Sequence, residues 1–450
     1  YAFDVLMQIY ESAGYSQRDA AKSILEHNIY GLDIDDRAYQ LAYFAVMMKA
    51  RQYNRRILNG EMDCHVYSIQ ESNMFNRKHL KYLGASMDEL ERNNALNQLT
   101  DLLDTFVDAK EYGSILNVDA CDWDLLRRFV EQSGEDEQMS MDSFGLEDTK
   151  EQLRVLIDIG QVMAQKYEIA VTNPPYMSSA SMTAKLTDYV RTMYPDSKSD
   201  LFAVLIEKCS KMVKSNCMQA MITQHSWMFL TSFEKLRENF LIKDMVNMIH
   251  LGARAFEEIG GEVVQTTSFV IRNAYLKNYK GTYCRLIEPT TQQGKEDAFL
   301  SKEGRFSISQ ENFAKIPGKP YAYWVSDSFV EAFNNKRLGD IAYPKTGFTT
   351  GNNDDSLRLW FEVSDNKIQS KWFYLNKGGA YRKWYGNNEY VVDWENDGLR
   401  IRNNKGSTIR NPDYYFRRGA TWSKITSYKL SGRFSPETHI FDAVGLTCFT

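Results

Sequence analysis

The residues best suited to chemistry are an amide, two prolines and a phenol in a row: Asn173, Pro174, Pro175 and Tyr176. They follow the short apolar run 169–172, which is typical of a buried parallel strand. Proline cannot donate to a sheet ladder, and it moves the preceding residue out of the helical region. The chain must therefore leave the sheet here as a stiff, extended turn that holds polar groups at the end of a strand.

Two acceptors of this turn, the Asn173 side-chain oxygen and the Pro174 carbonyl oxygen, can point the same way beneath the Tyr176 ring. Such a site suits a planar group with an exocyclic NH2, such as an adenine flipped out of a duplex. Hydrogen bonds to both amino hydrogens push electron density onto the nitrogen, which favours its attack on an electrophilic methyl group. The alternative is a proline-rich exit from a strand without chemistry.

A second candidate site is an acid at the end of a predicted strand over 28–35, followed by a predicted helix over 37–51. In nucleotide-binding doubly wound sheets, an acid at the end of the second strand accepts hydrogen bonds from ribose hydroxyls. Asp33, followed by Ile34, is our candidate for that role. The alternative is that Asp33, Asp35 and Asp36 only cap the next helix.

Residues 114–123 predict another strand that ends in an acid, Asp119, followed by Ala120. Asp119 can accept a hydrogen bond from the amino group of a bound adenine ring. The alternative is an ordinary aspartate at a strand end. The acidic stretch 131–147 predicts an exposed loop insertion.

The order of elements favours an α/β class with a mostly parallel sheet. Further predicted helices cover 149–165, 200–213 and 233–240, and predicted strands cover 218–223, 245–250 and 263–272. We expect the last two strands to form an antiparallel hairpin at one edge of the sheet. From residue 338 the predicted elements are short strands and turns, which predicts a second domain.

Composition narrows the class of protein. The 450 residues are 43% hydrophobic, without an apolar run of membrane-spanning length and without an opening signal segment, so we expect a cytoplasmic protein with no membrane partner. Six cysteines show no Cys-x-x-Cys spacing, which supports neither a metal site nor a disulfide framework. No metal is predicted.

The net charge of −5 argues weakly against nucleic acid, but the charges are unevenly distributed. Residues 400–433 contain nine basic residues and one acid, and 378–386 interleaves basic residues with aromatic ones. Such segments suit contacts to phosphates and base edges, although an aromatic β-domain with a solvated basic face is the alternative. The DNA-binding candidates are Lys345, Thr350, Asn352, Arg382, Lys383, Arg417 and Arg418.

Asn173-Pro174-Pro175-Tyr176 resembles the signature of amino-methyltransferases that use S-adenosylmethionine. Together with Gly31-Leu32-Asp33-Ile34-Asp35 and Asn117-Val118-Asp119, it makes the chain resemble adenine-N6 DNA methyltransferases, and most of all those of BREX phage-defence systems. The resemblance implies a Rossmann-like methyltransferase domain over 1–335, truncated at its N-terminus. A mixed α/β target-recognition domain over 336–450 would continue beyond the chain end.

By this resemblance the protein transfers a methyl group from S-adenosylmethionine to N6 of a flipped adenine, in a phage-defence or restriction-modification system. Asp33, Ile34, Asp119, Ala120 and Asn173 would contact the cofactor, and Tyr176 and Phe269 would pack against the base. Double-stranded DNA is the expected partner. Other phage-defence subunits and phage inhibitor proteins are further implied partners.

One departure from the family pattern is the missing glycine-rich loop of Phe-x-Gly-x-Gly type, which the chain lacks before Asp33. We therefore expect a fragment that is inactive by itself. Two other functions stay open: a protein glutamine methyltransferase, which shares the Asn-Pro-Pro-Tyr loop, and a catalytically inactive DNA-binding or phage-sensing component with a methyltransferase fold. A basic, aromatic recognition domain favours DNA over a protein glutamine as the substrate.

Overall fold

A computed structural model describes residues 1–59, 62–132, 145–256, 264–426 and 429–450. The chain divides into two compact units, Tyr1–Val325 and Ser326–Thr450. The boundary expected from the sequence, 335/336, lies within the second unit. Most of the predicted loop insertion lies outside the described residues.

In the first unit α-helices alternate along the chain with strands. They are α1 (Ala2–Ser12), α2 (Gln17–Ser23), α3 (Asp36–Tyr53), α4 (Glu89–Thr105), α5 (Ala109–Tyr112), α6 (Trp123–Glu131), α7 (Leu146–Ala164), α8 (Ala184–Met193), α9 (Leu201–Met212), α10 (Glu234–Leu241), α11 (Gln292–Leu300) and α12 (Glu311–Ala314). Side-chain caps fix the start of several of these helices: Asp35, Asp88 and Asp200 each accept a hydrogen bond from a backbone N–H of the first helical turn. No helix among the described residues is long and apolar enough to cross a bilayer.

The strands of this unit form a two-stranded and a six-stranded sheet. They are β1 (Tyr30–Asp33), β2 (His65–Ser68), β3 (Tyr167–Thr172), β4 (Val213–Gln224), β5 (Asp244–Ala253), β6 (Gln265–Arg272), β7 (Lys280–Arg285) and β8 (Arg305–Ser309). The small sheet pairs β1 with β2 in parallel, and the large one has the order β3-β4-β6-β5-β7-β8. The strands β3, β4, β5 and β7 share one direction, so their carboxyl ends lie at one edge.

The predicted α/β class is confirmed, and the sheets contain parallel portions: β1 with β2, β3 with β4 and β5 with β7. The predicted antiparallel pair, β5 and β6, also forms, but β6 lies between β4 and β5 inside the sheet. In this position alternate residues of β6, including Phe269 and Ile271, are buried in the core. The antiparallel edge is formed by β8.

The second unit is built from two four-stranded sheets with short helices. Its elements are α13 (Asp327–Ala332), α14 (Leu338–Ile341), β9 (Tyr343–Lys345), α15 (Asn353–Ser356), β10 (Leu357–Leu359), β11 (Trp372–Asn376), β12 (Tyr390–Asp393), α16 (Glu395–Arg402), β13 (Gly419–Ser423), β14 (Arg433–Ser435), β15 (His439–Phe441) and β16 (Gly445–Phe449). The sheet orders are β10-β12-β11-β15 and β14-β13-β16-β9. An aromatic core that includes Phe348, Trp394 and Tyr415 holds this unit together.

A buried arginine on α10 fastens the turn after β4 to a loop at Gly318. Arg237 is 1% exposed, and its guanidinium donates to the carbonyl oxygens of Trp227, Leu230 and Gly318 at 2.6–2.9 Å. These bonds satisfy carbonyl groups that the irregular backbone leaves without ladder partners. Burial lowers the pKa of this guanidinium.

We expect Arg237→Ala to lower the free energy of unfolding by about 3 kcal/mol, because several charge-assisted hydrogen bonds are lost in the core. Lys235→Ala is the matched control, since Lys235 lies on the same helix with an exposed side chain and should change stability by less than about 0.5 kcal/mol. Urea unfolding of both variants measures the difference. Equal stabilities would contradict the role given to Arg237.

Candidate active site

The Asn173 to Tyr176 turn begins directly where β3 ends, at Thr172, and it has no regular secondary structure. Asn173 and Pro175 are exposed, whereas Pro174 is buried. The polar end of the turn thus faces solvent while one proline ring anchors it. This arrangement leaves the Asn173 side chain accessible to a ligand at the carboxyl edge of the sheet.

Asp200 holds the chain that follows the turn. Its Oδ1 accepts hydrogen bonds from the backbone N–H of Met177 (3.1 Å) and of Phe202 (3.3 Å), so one oxygen both caps α9 and fixes the turn. The Leu201 N–H donates to the Met177 carbonyl oxygen at 2.9 Å, and a bridge joins Ser178 to Asp200. The Asp200 side chain is 8% exposed, and burial raises its pKa above the ordinary value.

The Tyr176 ring is half-buried against the core of the large sheet. It meets the ring of Phe202 edge to face, with 6.1 Å between centroids. The Tyr176 hydroxyl is buried and has no hydrogen-bond partner among the described residues. Burial raises its pKa. The ring, and not the hydroxyl, is therefore the group that this geometry offers to a ligand.

The acids after β1 divide their work. Asp35 is the N-cap of α3 and accepts from the Arg37 N–H at 2.8 Å, and hydrogen bonds with Arg37 lower the pKa of its carboxyl. Asp36 accepts from the Ser68 hydroxyl and from Lys110, which lower its pKa. Asp33 is exposed, and its Oδ1 accepts from the Asp35 N–H at 2.9 Å. Capping thus falls to Asp35, and the exposed carboxylate of Asp33 and the side chain of Ile34 remain accessible.

The predicted strand over 114–123 is wrong: residues 113–115 form a 3-10 turn and 116–122 form a coil. Polar side chains around this segment bind backbone carbonyl groups that a β-ladder would need. Lys208 donates to the Leu116 carbonyl oxygen (2.6 Å) and to Asn117 Oδ1 (3.3 Å), and Tyr194 donates to the Ile115 carbonyl oxygen (2.6 Å). Burial lowers the pKa of Lys208 to about 8.

The segment still reaches the carboxyl end of β1, because a Cβ on Gly113 would stand 3.2 Å from Ile34 Cδ1. Asp119 and Ala120 follow in the coil with exposed side chains. The cofactor contact predicted for these two residues would be made from a loop held by Lys208 and the Tyr194 hydroxyl, not from a strand end.

A strand that the sequence analysis did not predict, β2, pairs with β1 and sets Ser68 opposite Asp33. The Ile69 N–H donates to the Asp33 carbonyl oxygen at 2.8 Å, so Gln70 and Glu71 emerge beside Asp33. Both line a cavity of about 360 Å³ together with residues of α7. The signal for this strand was the run His65-Val66-Tyr67-Ser68-Ile69, short but rich in β-branched and aromatic residues.

The strand β3 is not the buried strand that its apolar run predicts. Among the described strands it pairs only with β4, and Ile169 and Val171 are 64% and 73% exposed. Between β3 and β1 lies a groove of about 190 Å³ whose lining includes Leu32, Tyr167 and Lys208. At the amino end of this groove the rings of Tyr30 and Tyr167 meet at 5.3 Å.

Phe269 has no accessible surface. It lies in the middle of β6 between Met221 and Met248 of the neighbouring strands, and its ring contacts Trp227 at 5.4 Å and Phe240 at 6.2 Å. The alternation of β6 turns this side chain into the core. The structure therefore does not place the Phe269 ring where it could meet a base without a rearrangement of the core.

In the second unit the structure brings two predicted DNA-binding cations together. The Lys345 ammonium and the Arg417 guanidinium both stand over the Tyr414 ring, at 4.6 Å and 5.3 Å from its centroid. Arg418 is largely exposed and pairs with Glu437 at 3.0 Å. Cation–π contact holds such side chains in place while their charge stays available.

The other predicted DNA-binding residues differ in accessibility. The Thr350 hydroxyl is buried and donates to Asn353 Oδ1 at 2.6 Å, so it serves the turn around it. Asn352 is exposed and caps α15. Arg382 and Lys383 are exposed in the loop between β11 and β12.

Among the described residues, no three His, Cys, Asp or Glu side chains form a group that could hold a metal ion.

Comparison with known proteins identifies the class. Residues 27–256 match the Eco57I restriction-modification methylase family, and the chain belongs to this family. The chain is 42% identical to the adenine-specific methyltransferase PglX of Lacticaseibacillus casei (strain Zhang) and 38% identical to the adenine-specific methyltransferase BrxX of Escherichia coli O9:H4 (strain HS). Both matches cover the whole of this chain, which spans 39% of the length of each relative.

These relatives confirm the resemblance to adenine methyltransferases that the sequence showed. Among solved structures, a nuclease-deletion mutant of the Type ISP restriction-modification enzyme LlaGI with a DNA substrate mimic matches 99% of this chain and 38% of its own. The TM-score is 0.45 and the identity is 12%.

We expect Asp200→Ala to lower the free energy of unfolding by about 1–2 kcal/mol, because α9 loses its cap and the Met177 N–H loses its acceptor. Asp200→Asn keeps an oxygen acceptor and should be close to wild type at low pH. Because the folded-state pKa is raised above 3.8, the wild-type carboxyl loses stabilisation as the pH rises through that raised pKa. Urea unfolding across this pH range should therefore show that the free energy of unfolding of Asp200→Asn rises relative to that of wild type.

We expect Tyr176→Phe to unfold with a free energy equal to that of wild type or higher by about 1 kcal/mol, because the buried hydroxyl has no partner to lose. Tyr415→Phe is the matched control. The Tyr415 hydroxyl donates to the Arg410 carbonyl oxygen at 2.8 Å, and its loss should be destabilising. A large destabilisation by Tyr176→Phe would show that its hydroxyl is bonded.

Proposed function

We propose that the whole protein to which this chain belongs transfers a methyl group from S-adenosylmethionine to N6 of an adenine flipped out of double-stranded DNA. The observation that carries this proposal is the exposed Asn173 on a proline turn at the carboxyl end of β3, with the Tyr176 ring held beside it. Relatives named adenine-specific methyltransferases support the choice of base.

In this proposal Asn173 Oδ1 and the Pro174 carbonyl oxygen accept the two amino hydrogens of the adenine. Both acceptors draw the lone pair out of conjugation with the ring and orient it toward the incoming methyl group. Pro174 and Pro175 keep the acceptors in place because their φ angles are fixed. The Tyr176 ring stacks on the base and compensates for the stacking lost on flipping.

S-adenosylmethionine supplies an electrophilic methyl group on its sulfonium when it is bound. The exposed carboxylate of Asp33 fits the ribose diol of this group, since Asp35 has taken over the capping of α3. Ile34 offers an apolar contact beside it. The Asp119 carboxylate, on its anchored loop, is the proposed acceptor for the amino group of the cofactor's adenine ring.

The methionine half of the cofactor needs donors that these residues do not supply. We propose that another part of the whole protein provides the glycine-rich loop, carried by a strand that pairs with the free edge of β3. The groove between β1 and β3 supports this, because exposed Ile169 and Val171 are side chains that a strand neighbour would cover.

We propose the second unit as the target-recognition part of the enzyme. Its paired cations Lys345 and Arg417, together with Arg382, Lys383 and Arg418, suit phosphate contacts. Asn352, exposed at the start of α15, is a candidate for a base edge or a phosphate. We place the whole protein in a phage-defence or restriction-modification system, in line with its family.

The test is Asn173→Ala in the whole protein. Because one acceptor of the amino group is lost, we expect the rate of methyl transfer to DNA to fall about 10²–10³-fold while DNA affinity is kept. Tritium transfer from labelled S-adenosylmethionine measures the first and fluorescence anisotropy the second. Asn97→Ala, on the exposed face of α4, is the control and should leave both unchanged.

Three results would refute the proposal in different ways. Unchanged transfer by Asn173→Ala would remove the role of this turn. Tritium in protein and not in DNA would point to a glutamine methyltransferase. DNA binding without any transfer by the wild-type whole protein would favour an inactive sensing component.

A further inference from the structure

The loop between β11 and β12 exposes two adjacent aromatic rings. Trp384 and Tyr385 are 71% and 70% exposed, and among the described aromatic side chains only Tyr1 is more exposed. Phe434, on β14, lies next to them with 53% exposure. Large rings presented side by side to water are unusual on a folded surface and mark an interaction site.

The backbone of this loop is held on both sides. The Trp384 N–H donates to the Gly432 carbonyl oxygen at 2.9 Å, and the Trp384 carbonyl oxygen accepts from the Phe434 N–H at 2.9 Å. Asn387 closes the loop through a hydrogen bond to the Ala380 carbonyl oxygen at 3.1 Å. The two rings therefore project from a fixed support.

Trp384 also adopts a backbone conformation that bulky residues avoid. Its φ is +73°, in the left-handed region, where a side chain with a Cβ is strained. The two backbone hydrogen bonds to residues 432 and 434 maintain this conformation. A strained, braced residue with an exposed ring is typical of a functional position.

The charge around the rings is positive. Arg382 and Lys383 are exposed, and the Lys383 ammonium lies 4.9 Å from the centroid of the Trp384 ring. Arg433 is buried behind the loop, directly opposite Trp384 in the bridge between the two segments. Residues 378–388 contain no acid, and Glu389 follows them.

Rings and cations in this arrangement match a ligand that offers flat faces beside negative charge. Nucleic acid has both, because every base has a π-face and each is followed by a phosphate. Aromatic or apolar side chains inserted at a base step unstack it and stabilise a distorted duplex. Extrusion of an adenine, as the proposed function requires, needs such a distortion.

We propose that Trp384 and Tyr385 form a base-stacking element, whose rings insert against bases of the bound DNA while Arg382 and Lys383 hold the adjacent phosphates. This inference rests on the proposed function and adds to it a contact that phosphate-binding cations alone do not provide. It assigns the exposed rings to the nucleobases and not to a protein partner.

The experiment uses the whole protein and a short DNA duplex that carries 5-iodouracil at successive positions around a sequence which the protein methylates in cells. Irradiation joins iodouracil to aromatic side chains stacked on it, and mass spectrometry locates the joined residue. We expect the cross-link at Trp384 or Tyr385. If the protein binds DNA without methylating it, the same mapping on a bound duplex of arbitrary sequence still decides.

Variants give an independent readout. Trp384→Ala with Tyr385→Ala should weaken duplex binding at least tenfold, because stacking on each ring is lost. Trp384→Phe with Tyr385→Phe keeps the rings and should bind within a fewfold of wild type. Phe329→Ala, an exposed ring on α13, is the control for nonspecific effects of removing a surface aromatic residue.

The inference is overturned if no cross-link reaches the loop and the double alanine variant binds DNA as wild type does. In that case the proposed function still stands, provided that methyl transfer depends on Asn173. Loss of a protein partner by the double alanine variant, with DNA binding unchanged, would instead assign the loop to a protein interface. A whole protein that binds no DNA would overturn both proposals.

Discussion

Two consecutive prolines at the end of β3 are the constraint on which the site depends. Neither Pro174 nor Pro175 can donate a backbone hydrogen bond, so the chain cannot continue in the sheet beyond Thr172. The exit must then be held by other means, and Asp200 does so from the start of α9 through the Met177 N–H. A buried carboxylate serves here because one oxygen can accept two N–H groups at once.

Parallel strand pairing is the second constraint that positions the site. Since parallel strands end at the same edge, β1 and β2 place Asp33 beside Gln70 and Glu71. Asn173 follows the end of β3, at the carboxyl edge that this strand shares with β4. Between β1 and β3 lies a groove with exposed apolar side chains, which is an unfavourable surface in water. This groove is the place where we propose that a further strand binds.

In the second unit some polar residues are buried in the interior and others remain near the surface. Thr350 and Arg433 are turned into the unit, where the hydroxyl of Thr350 is bonded and the charge of Arg433 is enclosed. Lys345 and Arg417 remain near the surface over one ring, Tyr414. Such a division lets a rigid interior present cations and aromatic rings at defined places, which a flexible basic tail could not do.

Local signals in the sequence determined much of this protein. Helices such as α3 and α9 follow from apolar periodicity and capping acids, and α7 follows from apolar periodicity. The end of β3 follows from the two prolines. Those signals act over a few residues, so they can be recognised in a single sequence. They also identified the Asn173 turn and the family resemblance. For Asp33 they left two roles open, ribose binding and capping of the next helix.

Tertiary structure decided which segments pair and which side chains are covered. The segment 114–123 has the composition of a strand, but Lys208 and Tyr194 bind its carbonyl groups from α9 and from the end of α8. The short strand β2 forms because β1 lies beside it, and Phe269 is buried because β6 enters the sheet between β4 and β5. Pairing and burial depend on residues far apart in the chain, and a pattern read along one segment contains no information about them.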